Sequence, residues 1–310
     1  MEPVTRVDVE AAAARIDGGV RRTPVLRLEP GALGPAFPIV AKLDLLQPTG
    51  SFKVRGATSL LTGVEVPDAG VVAASGGNFG LAVAYAAQRL GHPAAVFVPD
   101  SSPPAKLAPL ADLGADVHVI PGFYADALAA ADTHVAATGA LRAHAYDQRE
   151  VVAGQGTATA ELLAHTPDLD TLLVAVGGGG LLAGAAAWVG DDVRLIGVET
   201  HDTAALHAAR AAGRPVDVEV GGLAASSLGA RRLGDLAWAA QRWVDDSLLV
   251  TDAEVADAQR RLWSSARLAA EPGGATALAA LTAGRYVPVP GERVGVLVCG
   301  GNVDPASVTG

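Results

Sequence analysis

The chain has 310 residues, 50% hydrophobic and 18% charged, with a formal net charge of −10. That length and apolar content allow a substantial core, as one large α/β domain or two lobes, and argue against disorder. The acidic balance, with no basic run interleaved with aromatics, excludes nucleic acid as the partner, and the single Cys299 excludes an internal disulfide framework or a thiolate zinc cluster.

Along the chain, Asp8–Ile16 predicts a short helix and Pro24–Leu28 an extended segment. Short apolar runs then alternate with alanine-rich stretches of helical period. Val71–Ala74 precedes a helix over Asn78–Leu90, Ala94–Val98 one over Ala105–Leu113, and Val117–Ile120 one over Tyr124–Thr138. Leu172–Val176 leads through glycines into another helix, Arg194–Val198 follows, and Val294–Val298 is a last buried strand. The alternation predicts an α/β fold of parallel sheets covered by helices, with sites at the carboxyl ends of strands. Thr171–Gly190 is uncharged and long enough to suggest a membrane span, but four consecutive glycines at its centre make strand, turn and helix the better reading. The opening residues MEPVTRVDVEAAAARID carry acids where a signal peptide would have an uninterrupted apolar stretch. A soluble, cytoplasmic protein with no membrane partner is expected. No Ser/Pro-rich linker divides the chain, so a second lobe would be inserted rather than appended.

Two segments, VVAASGGNFGLAVAYAAQRLG and LLVAVGGGGLLAGAAAWVG, share one plan of buried strand, glycine-rich turn and helix start. Glycines let the backbone approach a ligand closely, and the N–H groups of a helix's first turn attract an anion. The pair suggests two anionic groups, for example a phosphate and a carboxylate; the plainer alternative is that the glycines only turn the chain. Neither segment fits the dinucleotide fingerprint or the P-loop. In PTGSFKVRGA, Lys53 stands among Leu45, Leu46 and Phe52, with Gly50 and Gly56 permitting close packing. A lone lysine is ordinarily a solvated charge. One drawn into apolar surroundings loses basicity and becomes a usable nucleophile and base. Beside a phosphate-type loop, that chemistry suggests a Schiff base to pyridoxal phosphate.

QPTGSFKVRGA, ASGGNFGLAVA, PAKLAPLADLGADV, HAYDQREVVAGQGT, AVGGGGLLAG, GVE, GGLA, EPGGA and CGGNVD follow one another between about Arg21 and Asp304. In order and spacing they resemble the serine/threonine dehydratase family of fold type II (tryptophan-synthase-β-like) pyridoxal-phosphate enzymes. The resemblance implies two open parallel-sheet lobes with the cofactor in the cleft. Residues 1–66 and 144–310 would form the larger, cofactor-binding lobe, and residues 67–143 a smaller inserted lobe that closes over substrate. It implies that Lys53 binds the cofactor covalently, that Phe52 stacks on one face of its ring, and that Gly222 lines the other. Gly177, Gly178, Gly179 and Gly180 match the phosphate loop, Asn78 the partner of the ring hydroxyl, and Cys299 the group against the pyridine nitrogen. Ser75, Gly76 and Gly77, with Asn78, match the loop that receives the substrate carboxylate, and Glu271 lies in a motif near the pocket. Three of them also have a plain structural alternative: Asn78 as a helix cap, Phe52 as core, Cys299 as a small buried hydrophobe.

The reaction implied is β-elimination from L-serine or L-threonine, giving pyruvate or 2-oxobutanoate plus ammonia, with Lys53 as the base at Cα. A thiol at Cys299 holds the ring nitrogen weakly, which disfavours a long-lived carbanion. Relatives that racemise serine carry a second serine after the position of Ser75; here it is Gly76, so racemisation is disfavoured. Phe79 stands where a histidine is common, and Gly221 where an aspartate is. The stretch ETHDTAA after Glu199 has Ala205 where some relatives place a second acid, so no metal is predicted. The chain ends six residues after Asp304, which leaves no room for an appended regulatory domain and suggests a catabolic role. A homodimer is expected. Rival readings are 3-hydroxyaspartate dehydratase, threonine synthase, a β-replacement synthase, or a non-catalytic ligand-binding homologue.

Overall fold

Uninterrupted Val/Leu/Ala runs need burial on both faces, and the chain meets that need with two helix-covered sheets. A computed structural model describes residues 1–309. Strands β1 (Val25–Leu28), β2 (Ile39–Lys42), β3 (Val71–Ala74), β4 (Ala94–Pro99), β5 (Asp116–Ile120), β6 (Leu141–Ala143), β7 (Thr171–Ala175), β8 (Arg194–Thr200), β9 (Asp246–Val250) and β10 (Val294–Leu297) divide between them. The larger sheet has six strands in the order β1-β2-β10-β7-β8-β9, the smaller four in the order β5-β4-β3-β6. All pairings are parallel except β1 with β2. The fold is α/β with parallel sheets in two lobes, as the alternation of runs predicts.

Central strands are buried along their whole length, as in β7 and β10, whereas β5, an edge of the smaller sheet, is exposed at both Asp116 and Val119. The helices Asn78–Leu90 and Tyr124–Thr138 run where the sequence places them; the one expected over Ala105–Leu113 runs Pro104–Asp112. Thr171–Gly190 is a strand, a turn and the helix Gly180–Val189, and among the described residues no helix is long and apolar enough to cross a membrane.

Periodicity alone does not find β2, β6 and β9, nor the helices Lys53–Gly63, Arg149–His165, Asp252–Ala266 and Pro272–Thr282. Arg149–His165 explains why. Its interior holds Gly154 and Gly156, which read as helix breakers. Both lie where another backbone comes close: a Cβ on Gly154 would sit 2.5 Å from the Arg55 carbonyl oxygen, and one on Gly156 2.7 Å from that of Gly184. The helix is thereby wedged between the helix that starts at Lys53 and the one that follows the four glycines.

Charge ties the same elements together. Arg55, fully buried, donates through Nε to Asp44 Oδ2 at 2.6 Å and through Nη2 to Asp44 Oδ1 at 2.9 Å. It also reaches Glu161 with Nη1 and Nη2, both at 2.8 Å. Lys42, itself fully buried in β2, donates to Glu161 Oε2 at 2.5 Å and to the Thr23 carbonyl at 2.6 Å. Two cations thus balance two carboxylates. Burial alone would depress the Arg55 guanidinium, but Asp44 and Glu161 hold it above its ordinary value.

Removing one member leaves an uncompensated buried charge. Arg55→Met is expected to cost about 3–5 kcal/mol in denaturant unfolding. Arg232→Ala, in an exposed pair 3.5 Å from Asp217, should cost less than about 1 kcal/mol. Equal losses in the two variants would contradict the network's role.

Candidate active site

In the larger sheet the strand order runs β2, β10, β7 across the middle, although β10 comes last in the chain. Ligands in open α/β sheets collect outside the carboxyl ends of strands where the order reverses. Here three loops leave those ends together: the turn to Lys53 after β2, Cys299–Asn302 after β10, and Gly177–Gly180 after β7.

The first two loops are zipped by backbone. Phe52 N–H donates to the Cys299 carbonyl at 2.9 Å, Ser51 bridges Gly300, and Gly301 N–H donates to the Gly50 carbonyl at 2.8 Å. Lys53 therefore starts its helix at a fixed height above the sheet. Its Nζ donates to the Ala145 carbonyl at 2.8 Å and lies 5.0 Å from the Phe52 ring centroid and 5.8 Å from that of Phe79. Burial pushes its amine down to about 8, against the opposing pull of Cys299 and Glu271.

Gly177–Gly180 pack against the chain that carries Ala145. A Cβ on Gly178 would overlap the Tyr146 ring, and one on Gly180 would lie 2.8 Å from the Tyr146 carbonyl oxygen. Gly179 has φ +88, and a Cβ there would meet Ala237. The carbonyl of Gly178 accepts from Gly234 N–H at 3.0 Å, and the first bond of the following helix is Ala183 N–H to the Gly179 carbonyl. The amides ahead of Ala183 have no intrahelical acceptor and face outward from a helix N-terminus.

From the smaller sheet, β3 ends in Ser75–Gly77, with Ser75 Oγ accepting from Gly77 N–H at 3.4 Å. A Cβ on Gly76 would lie 3.0 Å from Val98. Asn78 is the first residue of its helix and Gly77 its N-cap, so Asn78 is not a cap. Its side chain instead crosses to the larger lobe, donating through Nδ2 to Glu271 Oε1 at 2.6 Å and accepting at Oδ1 from Asn302 at 2.7 Å. Glu271 is 8% exposed, and burial pushes its carboxyl up to about 7 although the bond from Asn78 works against this. Cys299 is buried with Sγ 3.6 Å from the Gly273 carbonyl oxygen; burial raises the thiol well above its usual value, so it stays protonated.

Gly222 is exposed with φ +71, and a Cβ there would approach Asp252 at 2.7 Å and Asp202 at 2.9 Å. Further along its segment Leu228 packs against Gly177, and Ser227 Oγ accepts from Gly273 N–H at 3.0 Å. Glu199 is spent on structure: it accepts from Leu206 N–H at 2.7 Å and His207 N–H at 2.8 Å at the start of the helix Ala205–Ala212. Among the described residues no cluster of three or more His, Cys, Asp or Glu is placed for a metal ion. The sequence reading gave no role to Ala145, Tyr146 or Asn302. They lie in HAYDQREVVAGQGT and CGGNVD, whose spacing was legible without showing which side chain turns inward.

A half-buried lysine of lowered basicity, held near a glycine-rich turn, suits a carbonyl cofactor, and residues 16–300 match the family model of pyridoxal-phosphate dependent enzymes. The chain belongs to that family and has its fold type II architecture. It is 36% identical to an L-threonine ammonia-lyase of Geobacter sulfurreducens over 97% of this chain and 76% of the relative. It is 35% identical to an L-threo-3-hydroxyaspartate ammonia-lyase of a Pseudomonas species, over 96% of this chain and 95% of the relative. The structure of maize serine racemase superposes with a TM-score of 0.91 at 29% identity, covering 98% of this chain and 95% of that one.

Two measurements test this geometry. Competitive amine labelling of the cofactor-free protein, followed by mass spectrometry, should give Lys53 a midpoint near pH 8, the neutral amine growing as pH rises through that value; a midpoint above 10 contradicts the buried placement. Gly179→Ala, strained at its positive φ and overlapping Ala237, should weaken pyridoxal-phosphate binding at least about tenfold in an absorbance titration.

Proposed function

We propose that this chain is a pyridoxal-phosphate-dependent ammonia-lyase that converts L-threonine, L-serine or both to 2-oxobutanoate or pyruvate and ammonia. The observation that carries the reading is the Lys53 amine, of lowered basicity, bonded to the Ala145 carbonyl next to the Tyr146 ring that fills the hollow at Gly178.

The residues fit the cofactor. The Gly177–Gly180 loop is a cradle whose places for side chains are already filled by Tyr146, Ala237 and Leu228, so only backbone amides are offered, as a phosphate requires. Lys53 would hold it covalently, Phe52 would cover the ring, Asn78 would face its hydroxyl, and Cys299 its nitrogen. When bound, pyridoxal phosphate withdraws electrons from an attached amino acid and so acidifies its Cα proton.

The chain's own groups supply the rest. With an amine near pH 8, Lys53 is available at neutral pH both to accept that proton and to return one. The corner Ser75–Gly77 and the N-terminus of the Asn78–Leu90 helix would receive the substrate carboxylate. Buried Phe79 and half-buried Phe52 exclude water beside Lys53. Gly76 offers no acid or base from the opposite side, which supports elimination over racemisation. The neutral Cys299 thiol cannot keep a ring nitrogen charged, which has the same effect.

Residues 67–143 are proposed to move as the small lobe that closes the corner over substrate, against a large lobe of residues 1–66 and 144–310. We place the enzyme in the cytoplasm as a homodimer. The hydroxyaspartate-specific relative supports a second reading, elimination from L-threo-3-hydroxyaspartate. The Phe52 and Phe79 rings near Lys53 suit the methyl of threonine better than a second carboxylate.

Purified protein with pyridoxal phosphate should release ammonia and a 2-oxo acid from L-threonine or L-serine without an added nucleophile, and D-serine should not accumulate. Lys53→Ala should lower kcat by about 10²–10⁴ or more. Turnover of 3-hydroxyaspartate alone selects the second reading, and ligand binding without turnover of any of the three sinks the enzymatic one.

A further inference from the structure

Asn78 and Asn302 are the two asparagines of the chain, and they are bonded to each other. An amide is a directional group: one end only donates and the other only accepts. Asn302 Nδ2 gives its two hydrogens to two acceptors, the Thr49 carbonyl at 2.9 Å and Asn78 Oδ1 at 2.7 Å. Turned over, Asn302 would set an oxygen against two oxygens, so its orientation is fixed. Asn78 is then fixed in turn. With Oδ1 taken by Asn302, its Nδ2 must point the other way, where it donates to Glu271 Oε1 at 2.6 Å.

The anchor is rigid. Thr49 belongs to the turn that leads to Lys53, Gly301 N–H is bonded to the Gly50 carbonyl at 2.8 Å, and a Cβ on Gly50 would overlap Asn302 Oδ1. Asn302 and Lys53 are thus set by the same pair of zipped loops, while Asn78 arrives from the helix packed on the smaller sheet.

We propose that Asn302 is a positioning residue: it reads the polarity of the Asn78 amide and holds its N–H₂ end on Glu271, so that one N–H is spent there and the second is left as a donor for the cofactor. This rests on the reading of Asn78 as a cofactor partner. When the lobes meet, the contact is completed only by the correctly turned amide, which makes Asn302 a directional latch between them.

The test reverses polarity without changing shape. Asn302→Asp puts acceptors where two acceptors already stand, so the Asn78 amide should turn its N–H₂ toward Asn302's position and its carbonyl toward Glu271 and the cofactor. Asn302→Ala only removes the latch. Val303→Asp adds the same charge one residue away with the latch intact. In cofactor-free protein labelled with ¹⁵N at asparagine, the wild type should show two side-chain amide pairs. The Asn78 pair should move in both Asn302 variants and stay in place in Val303→Asp. In absorbance titrations, Asn302→Asp should weaken pyridoxal-phosphate binding about tenfold or more, beyond Asn302→Ala, with Val303→Asp within about twofold of wild type. A purely structural role predicts the reverse order, because aspartate is the closer match in shape. Asn302→Ala losing more than Asn302→Asp, or an unmoved Asn78 resonance, overturns the proposal. If no variant and no wild type binds pyridoxal phosphate, the functional reading fails, while the amide spectra still decide the latch.

Discussion

The Arg55 guanidinium is the point on which the site hangs. It sits two residues after Lys53, fully buried, and its planar fork grips Asp44 on one side and Glu161 on the other. Asp44 opens the short helical turn Asp44–Leu46 after β2, and Glu161 belongs to the long helix wedged against the four-glycine helix. One side chain therefore sets the distance between the lysine and the glycine cradle. A lysine at position 55 could not do this, because a point charge lacks the two-sided geometry. The network contains both signs in equal number, which is what lets four charges lie in an apolar interior.

Burial does the chemical tuning above that base. It lowers Lys53 to about 8, raises Glu271 to about 7 and raises Cys299, each toward its neutral form. Direct pairing of Lys53 with Glu271 would have restored both charges and removed the amine's reactivity. The structure avoids this by giving each a separate partner, the Ala145 carbonyl for Lys53 and the Asn78 amide for Glu271.

The two lobes contribute different kinds of group. The larger one carries Lys53, Gly177–Gly180 and Cys299 on loops tied to one sheet. The smaller one brings the Ser75–Asn78 corner, whose backbone is free of side chains at Gly76 and Gly77. Ala145 and Tyr146 lie at the junction, one touching Lys53 and the other filling the hollow at Gly178.

What the sequence determined by itself was local in character. Apolar runs of β3, β7 and β10, glycine corners before helices, and a lysine in PTGSFKVRGA are legible because periodicity and turn chemistry act over a few residues. Even the absence of a side chain at Gly76 needed no coordinates. The helix Arg149–His165 was hidden because Gly154 makes room for the distant backbone at Arg55 and Gly156 for that at Gly184, and β2 because the charge of Lys42 is met by Glu161, far along the chain. Tertiary structure alone decided that Asn78 bonds Asn302 and Glu271, and that Tyr146 lies under the glycine loop. Those facts depend on partners distant in the chain, and no local pattern specifies which polar atom will be left to meet which.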